Sequence, residues 1–208
     1  MNIMKGKFIV IEGPDRSGKS TLASNMKLVL EGKGHEVYLT HEPTESLDDG
    51  LNILKNIGKN EYLVLLAMFM RDRIRHNRIM MEELKSGHIV ICDRYSLSSL
   101  AYQGVYFRQL FDEEEKFYEW MESTLSLCHM KPDATIYLKM DDPTARTVRD
   151  SNRELIMFEE KEFLDKANRI YNGAIMRKIF FDPGFVIDAR FPREVVLDSA
   201  LRVIEKEI

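Results

Sequence analysis

At 208 residues, with 44% hydrophobic and 31% charged positions, the chain suits one α/β domain with a sizeable core and is too short for two of ordinary size. Thirty basic against thirty-four acidic residues give a net charge of −4, without long runs of one sign, which argues against a dedicated nucleic-acid or membrane surface. Two cysteines, Cys92 and Cys128, make no disulfide framework. Residues 1–7 are too short and polar for a signal peptide, and no apolar run reaches about 18 residues, so a soluble, cytoplasmic protein is expected.

The first element is an apolar run, residues 8–11, which reads as a buried strand. It leads into Glu12 and then Gly13-Pro14-Asp15-Arg16-Ser17-Gly18-Lys19-Ser20, followed by a helical stretch that includes Thr21 and runs over residues 19–32. This is the spacing of a phosphate-binding loop. Glycines at its ends let the backbone curl, so that successive N–H groups and the helix N-terminus face an anion. Lys19 is positioned for the terminal phosphates and Ser20 for Mg²⁺. Arg16, inside the turn, is suited to neutralise a phosphoryl group in transfer.

Further apolar, β-branched runs occur at residues 36–39, 88–92, 134–138 and 185–187, with helical patterns at 47–57, 61–86, 98–104, 112–128, 143–149, 159–178 and 193–206. Strands alternating with helices predict a three-layer α/β sandwich around a five-stranded parallel sheet. The stretch 61–86 is apolar on more than one face. It suits either a central helix or one that meets another subunit. Within it, Phe69 and Arg73 lie four apart and share a face, placing a ring for stacking beside a guanidinium; Phe69 alone would also suit a core position. The polar segment around residues 149–158 has the character of a mobile lid.

The run 88–92 ends in Asp93 and Arg94. Ligands of open parallel sheets collect at the carboxyl ends of strands, so Asp93 is predicted to bind Mg²⁺ beside the loop and Arg94 to clamp a second phosphate. Ser98, Ser99, Tyr102 and Gln103 follow, supplying hydroxyls, a ring and an amide of the kind that read a sugar and a base edge. The five histidines show no metal-ligand spacing and read as structural.

Taken together, these segments resemble the thymidylate kinase family. The likeness is carried by residues 12–21, by Glu42-Pro43, by the Leu65 to Arg73 helix, by the Asp93-Arg94-Tyr95 to Gly104 element, by Lys131-Pro132-Asp133, and by Val186-Ile187-Asp188-Ala189. It implies a nucleoside monophosphate kinase fold, ATP and Mg²⁺ as cofactors, dTMP as acceptor, and a homodimer. It also implies particular roles. Asp15 would lie near the acceptor's 3′-hydroxyl, Arg16 would bridge the two sets of phosphates, and Arg94 would hold the acceptor phosphate. Phe69 would stack on thymine, Arg73 would contact its O4 edge or the adjoining phosphate, and Ser99 would meet N3. Tyr102 would pack under the deoxyribose, and Arg149 would flank the ATP base. The attacking phosphate oxygen is already anionic, so this chemistry needs no general base.

The chain departs from the family pattern in three places. Thr40-His41-Glu42-Pro43-Thr44-Glu45 lacks an arginine and two glycines usual there, Ile156-Met157-Phe158-Glu159 replaces a lid sequence that usually holds Asp-Arg, and Ser99 is smaller than the usual asparagine or threonine. Two other readings stay open at this stage. One is a kinase of the same fold with another acceptor, such as dUMP or a deoxynucleoside, and the other is a non-catalytic nucleotide switch. The absence of an Asn-Lys-x-Asp motif weighs against the switch.

Overall fold

A computed structural model describes residues 6–44, 61–140 and 161–207. Five strands, β1 (Lys7–Glu12), β2 (Val37–His41), β3 (Ile89–Asp93), β4 (Ala134–Lys139) and β5 (Gly184–Asp188), form one all-parallel sheet in the order β2-β3-β1-β4-β5. Among the described residues six α-helices flank it: α1 (Lys19–Gly32), α2 (Tyr62–Lys85), α3 (Ser96–Phe107), α4 (Glu114–Ser126), α5 (Lys161–Met176) and α6 (Arg193–Glu207). The predicted helices at 47–57 and 143–149, and the lid at 149–158, lie outside the described residues.

Alternation along β1 explains the layering. Ile9 and Ile11 point to one face, where they join Leu22, Met26, Leu30, Ile136, Leu138 and Ile204 in a core covered by α1 and α6. Phe8 and Val10 point to the other face and pack with Val90, Cys92, Met80 and Tyr95. The largest apolar cluster lies among α2, α3, α4 and α5, built around Leu66, Leu100, Phe117, Met121 and Tyr171. All residues of β3 and nearly all of β1 and β4 are buried, which is why these strands read as continuous apolar runs.

Register positions the chemistry. Ile11 pairs with Asp93, and His41 pairs with Asp93 from the other side, so the carboxyl ends of β1, β2 and β3 finish level. The ends are then cross-tied: the Arg94 amide donates to the Ile11 carbonyl at 2.9 Å and the Glu42 amide donates to the Asp93 carbonyl at 3.0 Å. The phosphate loop, Glu42 and Arg94 therefore leave the sheet side by side.

One helix begins earlier than its sequence suggests. The pattern predicts a start at residue 98, yet α3 starts at Ser96 and ends at Phe107, beyond the predicted 104. The cause is long-range. Buried Glu12, at the end of β1, accepts the backbone N–H of Tyr95 at 2.9 Å and of Ser98 at 3.0 Å, capping the first turn from another strand. The remaining element boundaries shift by one or two residues.

Candidate active site

The phosphate loop adopts the backbone that its composition requires. Gly13 and Gly18 have φ of 145° and 96°, and Arg16 itself sits in the left-handed region at φ 65°. At Gly13 a Cβ would lie 2.7 Å from the Leu138 carbonyl oxygen, so the close approach of β4 alone excludes a side chain there. The Ser17 amide closes the turn onto the Pro14 carbonyl at 3.3 Å. Lys19 is buried and folds across the loop, its Nζ donating to the Pro14 carbonyl at 2.8 Å. Burial, and then the charge of Arg94, push the Lys19 pKa down to about 7. Nearby Asp93, Asp15 and Glu12 only partly offset this, and the lysine is well suited to an arriving anion.

Ser20 and Asp93 meet as expected. The Ser20 hydroxyl donates to Asp93 Oδ2 at 2.5 Å, while Asp93 Oδ1 is buried without a hydrogen-bond partner. An oxygen-only donor pair with one unsatisfied carboxylate oxygen, beside a phosphate cradle, fits a hard cation such as Mg²⁺ that keeps waters and phosphate oxygens in its remaining positions.

A second cluster faces the loop. Arg94, at φ 72°, donates through Nη2 to Asp15 Oδ1, and its guanidinium lies over the Tyr102 ring at 5.1 Å. Tyr102 closes the triangle: its hydroxyl donates to Asp15 Oδ2 at 2.8 Å and accepts the Asp15 amide at 3.1 Å. Burial, the largest single influence, opposes ionisation of Asp15, but Arg94, Lys19, Tyr102 and Arg16 together lower its pKa. Arg94 is thereby held at the mouth of the loop with its charge intact.

The third cluster lies between α2 and α3. Arg73, buried to 1% exposure, donates from Nε and Nη2 to Glu42 Oε2 at 2.9 and 2.7 Å, and from Nη2 to the Ser99 hydroxyl at 2.7 Å. Its plane rests on Tyr95, 4.8 Å from the ring centroid. Nη1 is buried with no partner. Burial opposes the charge of Arg73 most strongly, yet Glu42 and its neighbours outweigh it and raise the pKa. Phe69, one turn earlier on the same helix, is half-buried against the helical core. Gln103 is buried one turn after Ser99, with its Oε1 unpartnered.

Ser98 is bonded mainly to the end of β1. The sequence places it at the acceptor, but its hydroxyl is engaged by Glu12 Oε2 at 2.5 Å and Tyr171 at 2.7 Å, because it sits on the first turn of α3 above the end of β1. Its Oγ also lies 3.4 Å from Arg94 Nη1, so Ser98 braces the site from behind. Burial raises the Glu12 pKa even against the hydrogen bonds from Ser98. Arg149 lies outside the described residues.

A model of the thymidylate kinase family matches residues 11–199. The chain belongs to the thymidylate kinase family. It is 34% identical to a probable thymidylate kinase of Thermoplasma acidophilum, over 95% of each chain. It is 32% identical to a probable thymidylate kinase 1 of Saccharolobus solfataricus, over 97% of this chain and 98% of that one. It is also 32% identical to a thymidylate kinase of Caldicellulosiruptor saccharolyticus, over 97% of both. The thymidylate kinase family is of the phosphate-loop, nucleoside monophosphate kinase type, in keeping with the parallel sheet and its loop.

Several participants escaped the sequence reading of this thymidylate kinase relative. Tyr171, from α5, reaches both Ser98 and Glu12, and nothing in its local sequence signals this. His76 was read only as structural, yet it contacts Glu42. A shallow groove beside the loop is lined by Thr21, Asn25, Ala189, Phe191 and Arg193, with Phe191 exposed. An exposed aromatic next to a phosphate loop was the signal available for it.

Proposed function

We propose that the chain transfers the γ-phosphate of MgATP to the 5′-phosphate of dTMP, giving ADP and dTDP. One observation carries the choice of acceptor: the unpartnered, buried Nη1 of Arg73, whose Nη2 donates to the Ser99 hydroxyl. Two buried N–H donors of a fixed guanidinium suit a base carbonyl such as O4 of thymine, and they oppose the amino group that cytosine carries at the same place. The second lone pair of Ser99 Oγ suits the N3–H of the same base edge, since the first accepts from Arg73.

In the reaction an oxygen of the acceptor phosphate forms the new bond to the γ-phosphorus as the bond to the bridging oxygen of ADP breaks. The transition state is loose, so the protein positions groups and neutralises charge. Arg94, oriented by Asp15 and Tyr102, holds the acceptor phosphate, and Asp15 faces the sugar. Lys19 and Arg16 neutralise the transferring group, while Gly13, Pro14, Ser17, Gly18 and Thr21 line the donor's phosphates. Mg²⁺, held by Ser20 and Asp93, supplies further charge neutralisation. Phe69 stacks on the base, and Phe191 and Arg193 border the adenine. Among the described residues no helix is long and apolar enough to cross a membrane.

The chain acts as a homodimer in this reading. Val64, Ala67, Arg71, Ile74, Arg78 and Met81 are all exposed on α2 at alternating spacings of three and four, the seam of a helix that packs on another helix.

The testing measurement is kcat/KM for dTMP, dUMP, dCMP, AMP and thymidine with MgATP. The expected order places dTMP first and dUMP second, with dCMP far behind. A clear preference for any other acceptor overturns the assignment.

A further inference from the structure

Glu42 belongs to a buried chain that continues past Arg73. Its Oε1 faces His76 Nδ1 at 3.1 Å, and His76 Nε2 lies 2.7 Å from the Thr40 hydroxyl. Glu42 is 6% exposed and His76 2%. A carboxylate oxygen accepts, so His76 Nδ1 donates to Glu42, and the other ring nitrogen ties the imidazole to Thr40. The chain Thr40–His76–Glu42–Arg73 is continuous, and it fixes the orientation of every group along it.

The neighbouring residue on α2 reinforces this. Asp72 accepts the Thr44 amide at 2.8 Å and also the Thr44 hydroxyl. Adjacent Asp72 and Arg73 thus grip both ends of the short segment from Glu42 to Thr44 and clamp it to α2. What it supplies is a carboxylate whose single oxygen, Oε2, takes two donors along one edge of the Arg73 guanidinium. Of the five N–H donors of Arg73, three are engaged, and the two on Nη1 are left pointing elsewhere.

We infer that Glu42, oriented by His76 and Thr40, is a positioning residue that aims Arg73 Nη1 and thereby sets discrimination between 4-oxo and 4-amino pyrimidine acceptors. This rests on the acceptor assigned above. Without Glu42 the guanidinium keeps its charge but loses the edge that holds its rotamer, so the base is read less strictly while phosphoryl transfer, governed by Arg94, Lys19 and Arg16, continues.

The test compares Glu42→Gln, His76→Ala, His76→Asn and Thr40→Val, measuring kcat and KM for dTMP and dCMP together with thermal midpoints. Glu42→Gln is expected to raise KM for dTMP about tenfold with kcat within about threefold, and to narrow the dTMP:dCMP ratio of kcat/KM by a similar factor. His76→Asn, whose amide replaces the Nδ1 donor, is expected to recover most of the ratio lost in His76→Ala. Thr40→Val is expected to narrow it by about twofold to threefold. Variants that melt earlier yet keep the wild-type ratio show a structural role only and overturn the inference. If Glu42→Gln does not fold, the Thr40→Val ratio decides. If the wild type itself does not turn over dTMP, the acceptor assignment fails instead, so the two failures are distinguishable.

Discussion

His129 is the residue whose protonation is most directly tied to stability. Its Nδ1 lies 2.8 Å from the Ser96 hydroxyl at the start of α3, and its ring packs on Tyr95 and Phe180. Burial first, then the charges of Arg73 and Lys131, push its pKa down to about 4, with Glu42 acting in the opposite sense. Unfolded histidine titrates near 6.5, so between about pH 4 and 6.5 the unfolded chain binds more protons than the folded one. The stability associated with neutral His129 is therefore complete above about pH 6.5 and is lost as pH falls toward 4, by roughly 3 kcal/mol in all. His129→Gln is expected to lower the urea midpoint at pH 7, where the Ser96 bond is disturbed, but to shrink the drop in stability between pH 7 and pH 4.5. An unchanged drop would assign that pH dependence to carboxylates alone. Single-residue chemistry was largely legible at the phosphate loop, because Gly13, Gly18 and Lys19 act through local backbone geometry. The partners of Ser98, Glu12 and Tyr171, were not legible because they are 86 and 73 residues away.

Among the elements, the packing of α4 against α5 depends on an absent side chain. At Gly173 a Cβ would lie 1.9 Å from the Tyr118 hydroxyl oxygen, which donates to the Ile170 carbonyl at 3.2 Å. Arg177 covers the Tyr118 ring at 4.3 Å, limiting the room for the ring to retreat. Gly173→Ala gains up to about 1 kcal/mol of helix propensity but overpacks this contact by about 1–3 kcal/mol. The expected net result is a fall of roughly 2–6 °C in the melting midpoint. An unchanged or higher midpoint would show that Tyr118 swings aside freely. Strands and most helices were foreseeable in kind because burial on both sheet faces leaves unbroken apolar runs. Their ends were less so, since the true start of α3 depends on a carboxylate from β1.

For the whole molecule, the proposed dimer seam on the outward face of α2 would connect assembly with chemistry. Its inner face carries Leu65, Leu66, Arg73, His76 and Met80, all buried, while Val64, Ile74 and Met81 are exposed to 54%, 51% and 41%. A partner copy on that seam would bury these side chains and steady the helix that aims Arg73. Ile74→Glu, which places a charge in the seam, is expected to convert a species of twice the chain mass into a monomer in light scattering, and to raise KM for dTMP more than it lowers kcat. A wild type that is monomeric at tens of micromolar would overturn the dimer. By itself the sequence determined the sheet-and-helix alternation, the phosphate loop and the family, because these depend on local patterns and short spacings. Only the tertiary structure decided which side chains close on one another. Glu42 meets Arg73 across 31 residues, and Asp15 meets Arg94 across 79. Such pairings follow from strand register and helix crossing rather than from neighbouring residues. The aim of Arg73, the proposed reader of the base, is therefore a property of the fold.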